Sequence, residues 1–141
     1  MPDETNKSEN GAAPTYRLLA IDDDPLILQA MGDYLSHFGF DFQACAYTDD
    51  GCAAYDAVFG DGNSSPDVVL ADYRLPGAKN GLDLIAEIRA HFSGDIPAIL
   101  FSGDVSLDSE IAGAIPQDIK LLHKPVRMQL LSEELKALLA G

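Results

Sequence analysis

Cysteine is scarce in this chain, basic residues are outnumbered, and no long apolar run occurs. Cys45 and Cys52 lie seven positions apart, with no CxxC pair and no nearby histidine cluster. That excludes a zinc site and a disulfide framework, and the two are read as free, partly buried thiols of a reducing compartment. Nine basic side chains face 23 acidic ones, a formal net charge of −14. A phosphate backbone needs a basic face, so nucleic acid is excluded as a direct ligand, and anionic membrane surfaces are excluded with it. The same acidity permits a divalent cation wherever carboxylates converge. No segment approaches transmembrane length and the start has no signal-peptide pattern, so the expected location is cytoplasmic. His37, His91 and His123 are scattered and are read as structural or surface residues.

What is present suffices for one domain. The 141 residues are 47% hydrophobic, enough to bury a core without staples. Met1–Pro14 is polar and is expected to form a disordered tail ahead of a domain over residues 15–141. Short apolar runs then alternate with segments of helical periodicity. Strands are expected at Arg17–Ile21, Phe42–Ala46 (an edge strand, since it alternates), Val68–Ala71, Ala98–Phe101 and Ile119–His123. Helices are expected from Pro25 to near Gly39, over Asp49–Phe59, after the Pro76–Gly81 turn to Phe92, over Ser106–Ala114 and from Met128 to Leu139. Strands alternating with helices imply a parallel sheet covered on both faces, and right-handed crossovers bring all strand C-termini to one edge.

Four of the five strands end in a chemically distinctive group: Asp22-Asp23, Asp72, Ser102 and Lys124. Open α/β sheets place their ligand sites at that edge. An aspartate at a strand end is ordinarily a turn residue, but three carboxylates, a hydroxyl and an ammonium sharing one edge form a constellation. Carboxylates so close repel unless a cation intervenes, and an all-oxygen set suits Mg²⁺. Metal, ammonium and hydroxyl donor are what the equatorial oxygens of a phosphoryl group require. Asp72 is then placed to act as nucleophile and become an acyl phosphate.

With IDDDP, VVLADYRLPG, ILFSGD and LLHKPV in this order, the chain from Tyr16 to about Leu139 resembles the receiver domains of two-component response regulators. The resemblance implies a flavodoxin-like, doubly wound five-stranded parallel sheet of order 2-1-3-4-5, a topology whose general form is illustrated by a chemotaxis receiver. It implies that Asp72 is the phosphoacceptor, that Asp22, Asp23, Asp72 and the backbone carbonyl of Arg74 hold Mg²⁺, and that Ser102 and Lys124 contact the phosphoryl group. A cis bond between Lys124 and Pro125 is implied as well. The implied partners are a histidine kinase or a histidine phosphotransfer protein, with a downstream protein at the Ser106–Leu139 face. The protein is then a signalling phosphoacceptor that catalyses only its own phosphorylation and dephosphorylation.

Three features depart from the common pattern. The loop Pro76–Gly81 is one residue longer than usual and is similar to that of receivers joined to hybrid sensor kinases. Leu121 stands where an aromatic switch residue is usual, so coupling is expected to run through Ser102. No output domain follows the last helix, which leaves open a single-domain regulator or a piece of a longer chain. Arg74 and Asp104, two positions beyond the acceptor and the serine, are read as an opposite-charge pair controlling dephosphorylation. Two rivals stand beside this reading. One is a pseudo-receiver that binds partners without taking phosphate. The other is a haloacid-dehalogenase-type phosphatase with Asp22 as nucleophile, weakened because the chain leaves little room for a cap over a substrate.

Overall fold

The computed structural model describes residues 15–60, 65–92, 94–103 and 112–140. Its strands are β1 (Arg17–Asp22), β2 (Asp41–Ala46), β3 (Val68–Asp72), β4 (Ala98–Ser102) and β5 (Ile119–His123). They pair in parallel in the order β2-β1-β3-β4-β5, the order the resemblance implies. The described helices are α1 (Pro25–Ser36), α2 (Ala53–Gly60), α3 (Gly81–Phe92) and α4 (Met128–Ala140).

Strand parity builds two cores, one on each face of the sheet. Leu19, Ile21, Val69, Ala71, Ala98 and Leu100 pack against Tyr55 and Val58 of α2 and Leu84, Ile85 and Ile88 of α3. The alternate residues Leu18, Ala20, Val68, Leu70, Ile99 and Phe101 pack against Leu28, Met31 and Leu35 of α1 and Leu131 and Leu135 of α4. β3 and β4 are buried at every position because both faces are covered. β2 is an edge strand with Cys45 as its one buried residue.

Local chemistry sets the helix ends. Asp24 caps α1, its carboxylate accepting from the Leu26 amide at 3.0 Å, and Pro25 takes the first helical position. Gly39, at φ +92°, ends the helix with its amide on the Ser36 carbonyl. Asn80 and Asp83 cap α3 reciprocally, each side chain accepting from the other's amide at 2.8–2.9 Å.

One helix differs from expectation: α2 begins at Ala53, four residues after Asp49. Thr48 and Gly51 exchange backbone hydrogen bonds of 2.8 and 3.1 Å, and Gly51 sits at φ +86°. A left-handed residue closing a tight turn cannot continue a helix. The Met1–Pro14 tail, most of the Ser106–Ala114 helix and Asp104 lie outside the described residues, and Ala112–Ala114 forms a 3-10 turn.

Candidate functional site

Register delivers the site. Ile21 pairs with Ala71, so Asp22 and Asp72 stand level at the ends of neighbouring strands. Both continue the parity of Ala20 and Leu70, so their side chains rise on the face covered by α1 and α4. Asp72 pairs with Phe101, and Ser102 with His123, which places Ser102 and Lys124 at the same edge. The five residues expected to form the site are therefore brought together.

Asp22 is 1% exposed, Ser102 2% and Asp72 8%, whereas Asp23 is exposed. Carboxylate oxygens of Asp22, Asp23 and Asp72 all lie within 4.8 Å of one another. The Lys124 ammonium donates to Asp22 Oδ2 and to Asp72 Oδ2, each at 3.0 Å. The other Asp22 oxygen accepts from the Asp24 amide at 2.9 Å. The Lys124 amide donates to the Ser102 carbonyl at 2.8 Å, and the Lys124–Pro125 bond is cis, as the resemblance implies.

The electrostatics follow from crowding. Burial holds the Asp72 carboxyl above its ordinary value; Lys124 opposes this, and the charges of Asp22 and Asp23 add to it. Burial and the neighbouring Asp22 likewise raise Asp23. Burial works to lower Lys124, but its bonds to Asp72 and Asp22 outweigh that and hold it above the usual lysine range. Two of three adjacent carboxylates thus resist ionisation, a strain that a divalent cation relieves. Hard oxygen donors on one buried edge fit Mg²⁺.

A model of the response regulator receiver domain matches residues 18–136. The chain belongs to the response regulator receiver domain family. Among curated relatives, this receiver is 27% identical over 123 residues to the response regulator MprA of Mycobacterium sp. (strain KMS), covering 87% of the present chain and 50% of the relative. It is 35% identical over 89 residues to the transcriptional regulatory protein AruR of Pseudomonas aeruginosa, covering 62% and 34% of the two chains. The receiver thus spans about half the length or less of these relatives. Among solved structures, a response regulator receiver domain protein from Clostridium thermocellum superposes with a TM-score of 0.72 at 26% identity, covering 89% of this chain and 94% of that one. Chemotaxis protein CheY4 of Vibrio cholerae gives 0.70 at 19% identity, covering 89% and 99%, a likeness of fold.

Of the remaining expected residues, Arg74 is exposed beyond the strand end, and its proposed partner Asp104 is outside the described residues. Leu121 is half-buried against the α2 and α3 face, in register with Leu100. Asp24, at the end of the acidic run, caps α1 with its carboxylate, in keeping with acidic residues at a helix start. Sequence reasoning missed one residue that serves the site. Gly81 packs against the acceptor itself: a Cβ there would stand 2.2 Å from the Asp72 carbonyl oxygen. The Asn-Gly pair reads as a turn signal, and only the three-dimensional approach shows why glycine is needed. Among the described residues, no helix is long and apolar enough to cross a membrane.

Proposed function

We propose that this receiver domain accepts a phosphoryl group on Asp72 from a histidine kinase or histidine phosphotransfer protein and passes the signal on through its output face. The supporting observation is the Lys124 ammonium bridging Asp22 and Asp72 at 3.0 Å each, beside a third carboxylate at the sheet edge. An Asp72 oxygen attacks phosphorus, the O–P bond forms, and the P–N bond to the donor histidine breaks with its electron pair going to nitrogen. Lys124 turns from the carboxylates to the charge on the phosphoryl oxygens, as a compact point charge suits. Ser102 supplies a hydroxyl donor, and among the described residues no atom stands within 4 Å of where a Gly103 Cβ would be, which leaves room for the group. Asp22, Asp23, Asp72 and the Arg74 carbonyl would hold Mg²⁺, which when bound neutralises carboxylate and phosphoryl charge.

An apolar groove of about 510 Å³ opens beside Lys124, lined by Ile27, Ala30, Val126 and Met128 among others, and offers the donor a surface next to the acceptor. In this reading the protein is a signalling module of the cytoplasm that catalyses only its own phosphorylation and dephosphorylation. Arg74 and Asp104 regulate the lifetime of the acyl phosphate, and Ser102 with Leu121 relays its presence toward the Ser106–Leu139 face. Acetyl phosphate with Mg²⁺ tests the acceptor assignment by intact mass. One phosphoryl group is expected on wild type and none on Asp72→Asn; equal labelling of the two would overturn it.

A further inference from the structure

The loop between β3 and α3 carries the Arg74 carbonyl, and side chains outside the carboxylate site tie it down. Its ends are joined where the Gly81 amide donates to the Tyr73 carbonyl at 2.9 Å. Near its middle, the Asp49 backbone lies 3.7 Å from the position of a Gly77 Cβ. Beyond that point Lys79 reaches α3 and pairs with Glu87 Oε2 at 2.5 Å. The other oxygen, Glu87 Oε1, accepts from the Tyr55 hydroxyl of α2 at 2.6 Å. Tyr55 is buried, and its ring meets Tyr47 edge-on with centroids 6.0 Å apart. The Tyr47 amide donates to the Asp22 carbonyl at 2.9 Å. A chain of contacts therefore runs from the strand end that carries Asp22, through Tyr47, Tyr55 and Glu87, to Lys79 in the loop that follows Asp72.

We propose that Lys79, Glu87 and Tyr55 form a latch that presets this loop and so positions the Arg74 carbonyl for a cation. The latch matters to the site because that carbonyl is read above as a Mg²⁺ ligand, the reading on which it rests. Each link has a physical reason to hold. A carboxylate with a different donor on each oxygen is fixed in rotation as well as in place. Burial alone would raise the Glu87 carboxyl, but the bonds from Lys79 and Tyr55 outweigh it and hold it below its ordinary value, so Glu87 is charged at neutral pH. Tyr55, packed in the core between α2 and α3, gives Glu87 a rigid base. Lys79 is half-exposed, so its pair adds little to global stability and acts locally. A loop one residue longer than the common form has more conformations to lose. Holding Lys79 removes part of them before a ligand arrives, which is the gain of preorganisation.

Amide NMR of the full chain, with no phosphodonor present, tests the latch in two steps. In metal-free protein, Lys79→Met should speed hydrogen exchange at Arg74, Leu75 and Ala78 and leave β3 and β4 as they are. Titrated with Mg²⁺, Lys79→Met, Glu87→Gln and Tyr55→Phe should each bind more weakly than wild type. The expected loss is about 3- to 5-fold, the most that an ion pair of this exposure supplies through the population of the closed loop. The double variant of Lys79 and Glu87 should bind no more weakly than the weaker single, because both changes open one latch. Lys79→Arg, which keeps a cation for Glu87, should retain wild-type affinity. A role in stability alone would leave the affinity unmoved, so equal Mg²⁺ affinity in Lys79→Met and wild type would overturn the proposal. Unchanged exchange in the loop, or losses that add in the double variant, would overturn it as well. Failure of the underlying metal reading looks different: wild type itself would then show no Mg²⁺-dependent shift at Asp22, Asp23 and Asp72.

Discussion

Replacing Gly81 with alanine should damage both stability and chemistry, against the usual effect of that change in a helix. Gly81 is the first residue of α3, where alanine is ordinarily favoured by up to about 1 kcal/mol. Here the added Cβ would stand 2.2 Å from the Asp72 carbonyl oxygen, 2.9 Å from its carbon and 3.1 Å from Leu100 Cδ1. The oxygen is backbone and has no rotamer by which to escape. Gly81 is also tied to the same strand end, its amide donating to the Tyr73 carbonyl at 2.9 Å. Ordinary contact starts near 3.4 Å, so either α3 or the end of β3 must shift by roughly 1 Å, and overpacking of this kind costs about 1–3 kcal/mol. The shift also displaces Asp72 from Asp22 and Lys124, and a misplacement of about 1 Å costs on the order of 100-fold in rate. Urea unfolding followed by circular dichroism measures the first effect, and the rate of acetyl phosphate labelling the second. A Gly81→Ala protein as stable as wild type and labelled at the wild-type rate would refute the close approach as a constraint on the site.

Lys124→Met leaves Asp22 and Asp72 buried without their cation and should destabilise the protein at neutral pH by about 1–3 kcal/mol, less than a fully buried pair because Lys124 is partly exposed. The raised Asp72 carboxyl binds its proton more tightly when folded, so its ionisation opposes folding as pH rises from 3.8 through the higher folded value. The deficit of Lys124→Met should therefore shrink as pH falls toward that range in urea titrations; a pH-independent deficit would contradict this. Glu87 accepts from the Tyr55 hydroxyl at 2.6 Å and pairs with Lys79; burial alone would raise it, but these two partners outweigh burial and hold it below its ordinary value. Its contribution is present above about pH 4.5 and is lost as pH falls through the lower folded value. Glu87→Gln should accordingly lower stability by about 0.5–1 kcal/mol at neutral pH, after allowance for solvent screening, and by nothing at pH values below that transition. Mg²⁺ should raise the melting temperature of wild type by relieving the carboxylate cluster, and Asp23→Ala should lose that gain; a gain retained in Asp23→Ala would place the ion elsewhere.

The sheet was legible in the sequence because its strands are short and bounded by breakers, and its central strands β3 and β4 are buried throughout. Val68–Ala71 and Ala98–Phe101 show no alternation because helices cover both of their faces. The grouping of Asp22, Asp23, Asp72, Ser102 and Lys124 was legible for a related reason, since parallel strands share one C-terminal edge. Contacts between loops were not. Asp49 and Asp50 look like the start of a helix, yet Gly51 closes a turn with Thr48 and delays α2 to Ala53. Phe38 keeps the helical spacing of the α1 apolar residues, yet α1 ends at Ser36 and Phe38 is 46% exposed, its ring meeting Tyr34 and the Lys136 ammonium. Periodicity gives a face, and it does not say what stands opposite. The same holds for Gly81, whose need for a bare Cα arises only when α3 is set against the Asp72 carbonyl.

Reductive trapping reads the identity of the acceptor from the covalent bond itself. Acetyl phosphate with Mg²⁺ is followed by borohydride, which reduces an acyl phosphate to the alcohol and converts the modified aspartate to homoserine. Peptide sequencing by mass spectrometry then locates the homoserine. If Asp72 is the nucleophile, homoserine appears at position 72 alone and is absent when Mg²⁺ is withheld. Homoserine at Asp22 or Asp23, or none in a fully folded protein, would contradict the central claim.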